Sequence, residues 1–219
     1  MIEELLPGAA AIAEARGDEE GEAALFPTER EQVSRSVEKR QREFATGRAC
    51  ARRALERLGV SAAAIPSGEK GEPLWPKGVV GSITHCDGYR ACAVARTADL
   101  LTVAIDAEPH QPLPEGLIGD VARAEERVWL RELARGAPDT HWDKLLFSAK
   151  ESVYKAWFPL AERWLGFEDA SLTVDSERRQ FRAQLLVPGP VVAGSEVKGF
   201  SGRWLVADGL VITAIAVTA

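Results

Sequence analysis

Two segments, Gly81-Ser82-Ile83-Thr84-His85 and Leu101-Thr102-Val103-Ala104-Ile105-Asp106-Ala107-Glu108-Pro109, stand close together in the chain and decide its reading. The second is an apolar strand ending in two carboxylates one residue apart. Side chains at i and i+2 of an extended strand leave on the same face, so Asp106 and Glu108 can converge on one cation. Such a pair also serves as an ordinary solvated turn, and Pro109 favours a turn at that point. In the first segment Ser82, Thr84 and His85 offer several donors, a set better suited to phosphate oxygens than to a metal. A single strand histidine is more commonly a packed or surface residue.

Working outward, Val79–His85 and Arg90–Arg96 read as two short strands around a turn at Asp87-Gly88. Ahead of them, SGEKGEPLWPKG (Ser67–Gly78) carries three glycines and two prolines and is a loop. Its Lys70 is placed to reach an anion or simply to be solvated. From Ser36 to Leu58, Val37, Phe44, Ala51, Leu55 and Leu58 recur at helical spacing, with a stop at Gly59. Arg40, Phe44 and Arg48 occupy i, i+4 and i+8 of that helix, so both arginines flank one apolar stripe. Guanidinium groups there suit a phosphate, being always charged and presenting a planar fork of donors; a solvated basic face gives the same pattern. Residues 1–27 read as a strand or loop followed by a short helix, and Thr28 as the cap of a brief helix at Glu29-Arg30-Glu31.

Downstream, Gln111–Gly119 is a Pro/Gly-bearing connector and divides the chain into halves at 1–110 and 111–219. Val121–Leu133 is a helix. A second strong helix is expected from Thr140 to Phe158, ended by Pro159, with Trp142, Leu145, Leu146, Ala149, Val153, Ala156 and Trp157 on a broad apolar face. Glu151 and Lys155 are an i, i+4 pair, the spacing of a routine helix ion pair. Only seven of the 27 basic residues are lysines, yet Lys144, Lys150 and Lys155 all fall on this helix. WLGFEDA (Trp164–Ala170) reads as a loop held by aromatic packing. Ser171–Val174, Gln180–Val187, Arg203–Ala207 and Leu210–Val217 read as strands. Helix plus antiparallel strands, twice, is an α+β pattern.

Composition narrows the function. The 219 residues are 46% hydrophobic and 27% charged, enough for a sizeable core. A net charge of -6 argues against a general nucleic-acid binder. No apolar run reaches the roughly 20 residues of a membrane span, and the N-terminus lacks a signal-peptide pattern, so a cytoplasmic location is expected. Cys50, Cys86 and Cys92, odd in number and without CxxC spacing, read as reduced thiols.

Taken together, KRQREFATGRACARRAL (Lys39–Leu55), GEKGEPLWPKGVVGSITHCDGY (Gly68–Tyr89), AIDAEP (Ala104–Pro109) and FSAKESVYKAWFPLAERWLGFEDA (Phe147–Ala170) resemble the 4'-phosphopantetheinyl transferases of the larger, monomeric kind that activate peptide and polyketide synthases. The resemblance implies an α+β fold of two similar α/β halves forming a pseudo-dimer, with coenzyme A in the cleft between them. It implies that a serine of an apo acyl or peptidyl carrier protein attacks the β-phosphate of coenzyme A, releasing 3',5'-ADP. Position by position, it implies Asp106, Glu108 and Glu151 as Mg²⁺ ligands and Glu151 also as a base. Lys155, and secondarily Lys150, would face the α/β-phosphates. Arg40, Arg48 and His85 would hold the nucleotide end and its 3'-phosphate, with Ser82 and Thr84 beside them and Lys70 near the adenosine. Some relatives place a lysine where this chain has Ser67. A metal-dependent phosphohydrolase would use the same residue types; a non-catalytic coenzyme A or carrier-binding subunit would not need the intact acids and Lys155.

Overall fold

The computed structural model describes residues 1–18 and 25–219. A single 3-10 turn at Ile2–Glu4 precedes strand β1 (Ala11–Arg16). Whatever part of the helix expected before residue 27 falls on 19–24 lies outside the described residues. Helix α1 (Pro27–Val33) begins two residues earlier than its Thr28 cap reading, because Pro27 suits the first helical position and the Glu29 carboxylate reaches back to accept from Phe26 N at 2.8 Å.

Helix α2 (Glu38–Arg57) follows the expected periodicity from Phe44 onward, burying Phe44, Ala45, Ala51, Ala54 and Leu55, while Val37 is its exposed N-cap residue. It lies on β1 and on β3 (Tyr89–Arg96), which pairs with both β1 and β2 (Val79–Cys86) in a three-stranded antiparallel sheet of order β1-β3-β2. At Gly81, a Cβ would stand 2.6 Å from the Trp75 ring and 2.9 Å from the Val94 side chain. Gly81→Ala is therefore expected to lower stability by about 1–3 kcal/mol through overpacking. A wild-type urea midpoint for this variant would refute that packing argument.

Strand β4 (Leu100–Pro109) starts a second sheet rather than closing the first. It pairs antiparallel with β10 (Leu210–Thr218) in a five-stranded sheet of order β4-β10-β9-β6-β5, where β5 is Ala170–Asp175, β6 is Gln180–Leu185 and β9 is Gly199–Ala207. By sheet membership the division falls ahead of β4, whereas the loop composition at Gln111–Gly119 suggested a boundary after it. A two-residue hairpin, β7 (Val191–Val192) with β8 (Ser195–Glu196), is too short to have left a periodic signal.

Between β4 and β5, the expected Val121–Leu133 helix is α4 (Ala124–Gly136), which starts three residues later, after a single turn α3 (Ile118–Val121), because Glu126 caps its N-terminus by accepting from Arg123 N at 2.8 Å. Helix α5 (Trp142–Ala161) covers β4 and β10. It runs past Pro159 and ends at Glu162, in the left-handed region at φ 50°. Proline in the last turn removes only the N–H that would reach the Lys155 carbonyl, so the helix continues beyond its expected stop. The core splits accordingly. One cluster lies between α5 and the five-stranded sheet, including Leu145, Leu146, Val153, Trp157 and Trp204. Another lies between the two sheets, including Tyr89, Val103, Ile105, Ala107 and Ile212. The architecture is α+β, and each sheet carries one long helix. Among the described residues, no helix is long and apolar enough to cross a membrane.

Candidate active site

Strands β2 and β4 lie side by side although no backbone ladder joins them. Side-chain hydroxyls substitute for it. Ile105 N donates to Ser82 Oγ at 3.1 Å, and Ala107 N donates to Thr84 Oγ1 at 3.0 Å. Thr84 in turn donates to Asp106 Oδ1 at 3.4 Å. Ser82 and Thr84, expected beside the nucleotide end, are buried, and their hydroxyls suture the two strands. The suture brings His85, at the end of β2, alongside the Asp106–Glu108 end of β4.

The two acids leave β4 toward α5 and meet lysines. Lys155 Nζ donates to Asp106 Oδ1 at 2.7 Å and to Ile105 O at 3.2 Å. Lys144 Nζ donates to Glu108 Oε2 at 3.3 Å from a buried position. Lys144 went unassigned in the sequence, although it stands about three helical turns before Lys155 on the same face of α5. Glu151 shares that face. Burial, then the charge of Asp106, with Glu108 adding to it and Lys155 opposing, raises the Glu151 pKa above the usual carboxylate range. Burial and Asp106 raise Glu108 likewise, against the pull of Lys144. The Glu151–Lys155 pair expected from spacing is not formed; Lys155 goes to Asp106 instead.

Among the described residues, no three acidic, histidine or cysteine side chains are gathered closely enough to hold an ion as they stand. The chemistry of the set nevertheless fits a hard divalent cation. Asp106 Oδ2 is buried without a hydrogen-bond partner, and all three acids offer oxygen ligands, with the charged forms of Glu108 and Glu151 disfavoured first by burial and then by Asp106.

On the opposite wall, Arg40 Nη1 donates to His85 Nε2 at 2.8 Å, which makes that nitrogen the acceptor. Desolvation of the ring, then the positive charges of Arg40 and Lys155, push His85 down to about 4, even though part of the imidazole is open to solvent. Arg48 is only 5% exposed. Its guanidinium lies 4.2 Å from the centre of the Phe44 ring, Nη2 donates to Ser67 Oγ at 2.9 Å, and buried Nε has no partner. Burial pulls its pKa to about 10. The Ser67–Pro73 bridge makes the following turn, where exposed Lys70 projects; its backbone N–H, not its ammonium, donates to Glu72.

Lys150, expected secondarily at the α/β-phosphates, has its ammonium paired with Glu126 at 2.8 Å and donating to Phe167 O at 2.7 Å and Ala170 O at 3.3 Å. The reason is helical phase. Consecutive residues differ by about 100°, so Lys150 shares the apolar face of Leu146, Val153 and Trp157 while Glu151 faces β4. Beside Glu151, a cavity of about 160 Å³ is bordered by Val153, Tyr154, Trp164, Leu165 and Phe167, none of them picked out as ligand contacts in the sequence.

Buried acids facing lysines, an arginine–histidine pair at the end of β2 and an apolar cavity bordered by Glu151 are gathered around β4 and α5 of this α+β scaffold. The profile of the 4'-phosphopantetheinyl transferase N-terminal domain matches residues 28–95, and that of the 4'-phosphopantetheinyl transferase superfamily matches residues 102–207. The chain is 53% identical to 4'-phosphopantetheinyl transferase Svp of Streptomyces mobaraensis, over all of this chain and 90% of that protein. It is 48% identical to 4'-phosphopantetheinyl transferase Npt of Nocardia iowensis, over 99% of both. To 4'-phosphopantetheinyl transferase PptT of Mycobacterium tuberculosis it is 47% identical, over 94% of this chain and 91% of that one. The chain belongs to the 4'-phosphopantetheinyl transferase superfamily and is a transferase.

Proposed function

We propose that the enzyme transfers the 4'-phosphopantetheine group of coenzyme A to a serine of an apo acyl or peptidyl carrier protein, including carrier domains of polyketide and nonribosomal peptide synthases. The observation that carries this reading is the cluster of Asp106, Glu108 and Glu151 facing Lys155, with an apolar cavity bordered by Glu151 itself.

In this reading Arg48, with its unpartnered buried nitrogen, and the Arg40–His85 pair take the nucleotide end, Arg48 meeting the 3'-phosphate. Lys70 lies near the adenosine. The cavity takes the pantetheine arm, whose methyl groups and methylenes suit the Tyr154, Trp164 and Phe167 lining. Asp106, Glu108 and Glu151 would hold Mg²⁺, which supplies positive charge to a pyrophosphate as its leaving oxygen gains charge. Lys155, donating to Asp106, is positioned to share that anion. The serine oxygen forms a bond to the β-phosphorus as the bond from that phosphorus to the bridging oxygen breaks. The electron pair leaves with 3',5'-ADP, and the serine proton passes to Glu151 directly or through a water. The raised pKa of Glu151 brings it nearer the operating pH of a proton acceptor.

One chain supplies both walls of the cleft, which supports action as a monomer. Three free thiols suit the reducing cytoplasm. Intact-mass measurement of an apo carrier protein incubated with enzyme, Mg²⁺ and coenzyme A is expected to give one phosphopantetheinyl mass gain, lost when EDTA removes the metal. No gain across a panel of acyl and peptidyl carriers would sink the reading. Phosphate release from coenzyme A without an acceptor would favour a phosphohydrolase, and coenzyme A binding without any turnover a non-catalytic subunit.

A further inference from the structure

The loop after α5 forms one wall of the cavity, and its order rests on few groups. Four successive carbonyls there each accept a hydrogen bond. Lys150 Nζ donates to Phe167 O, Arg123 Nη1 to Glu168 O at 2.6 Å, Leu186 N to Asp169 O at 2.8 Å, and Lys150 Nζ again to Ala170 O. The remaining capacity of the Lys150 ammonium goes to Glu126, whose side chain is fully buried. Both oxygens of Glu126 are engaged: it also accepts from Arg123 N at the start of α4 and from Leu172 N in β5 at 2.7 Å. Three elements, α4, α5 and β5, therefore converge on one buried ion pair whose partners would each be left with an uncompensated charge if the other were removed. Lys150, Phe167 and Ala170 also border the cavity, while Glu126 does not.

We infer that Lys150 is a positioning residue: with Glu126 it fixes the Phe167–Ala170 wall of the cavity beside Glu151 without touching the phosphates. This rests on the coenzyme A reading above, in which that cavity receives the pantetheine arm. Lys150 and Glu126 then act on the arm of the substrate and not on its nucleotide, although Lys150 adjoins the catalytic Glu151 in sequence. A lysine aimed at phosphate would do the reverse.

The test compares two ligands by isothermal titration: coenzyme A, and 3',5'-ADP, which has the nucleotide but no arm. Lys150→Met keeps the stem without its charge. Glu126→Gln loses the ionic partner and keeps an oxygen for one of Arg123 N and Leu172 N, which bond to different carboxylate oxygens. Each variant is first checked for cooperative melting, and Glu126→Gln decides alone if Lys150→Met does not fold. Both variants are expected to weaken coenzyme A at least tenfold and leave 3',5'-ADP within twofold of wild type. The double variant should be no worse than the poorer single one, because both substitutions break one network. Equal loss for both ligands in Lys150→Met alone would reinstate a phosphate contact and overturn the inference. So would a folded Glu126→Gln protein that binds coenzyme A like wild type. Wild-type protein that binds neither ligand, or binds both equally, defeats the underlying coenzyme A or cavity assignment instead.

Discussion

Glu151→Gln is expected to reduce transfer by at least about a hundredfold, a loss typical of removing a charged group aimed at reacting atoms, while the protein melts no lower than wild type and, in EDTA, higher. The two effects share a cause. Glu151 sits among Asp106 and Glu108 with its charged form disfavoured, first by burial and then by those neighbours, and the lysine four residues on is given to Asp106. A carboxylate whose folded pKa lies above its unfolded value destabilises the fold at pH above both. That cost fades as pH falls through the folded pKa toward the unfolded one. The Tm advantage of the glutamine variant should therefore be full near pH 8 and shrink on acidification through the raised pKa. Melting curves across pH with single-turnover assays check both halves. Wild-type turnover, or a lower Tm near pH 8, would return Glu151 to the role of a structural surface acid.

Arg48→Met is the second large effect. Arg48 is buried, and among the described residues it forms no ion pair; its nearest polar partner is a serine hydroxyl, and Nε has none. A phosphate would complete it. Charge-assisted hydrogen bonds contribute about 1.5–3 kcal/mol each, so coenzyme A should bind about 10- to 150-fold more weakly to the variant. The loss should be specific: 3'-dephospho-coenzyme A should bind wild type and variant alike. Methionine retains packing against Phe44, and removal of a desolvated cation should not lower the Tm of the free protein. Titrations with both ligands measure this directly. Equal affinity of wild type for coenzyme A and its 3'-dephospho form would contradict it.

Much of the fold was readable from period and punctuation. Helices α2 and α5 follow apolar spacing, β2 and β3 flank Asp87-Gly88, and β4 carries its two acids at i and i+2. Errors arose where a tertiary group replaced a local signal. Glu126 set the start of α4 three residues later than expected, and α5 ran past Pro159. The position of Lys150 was partly legible. It falls on the same helical face as Leu146, Val153 and Trp157, a face that sequence marks as buried, and only its adjacency to Glu151 suggested the cleft. Lys144 could likewise have been placed with Lys155 from helical phase.

The sequence by itself determined the family, the long helices and the three acids, because these depend on residue order, local periodicity and motif spacing. Tertiary structure decided how each polar group is used. Ser82 and Thr84 had the donors for a phosphate, but the close approach of β2 to β4 left backbone N–H groups that only their hydroxyls satisfy. Lys150 had the charge for a pyrophosphate, but Glu126, from a helix distant in sequence, neutralises it inside the core. A hydrogen bond or ion pair is fixed by which atoms meet, and for partners distant in the chain that meeting exists only once the sheets and helices have packed.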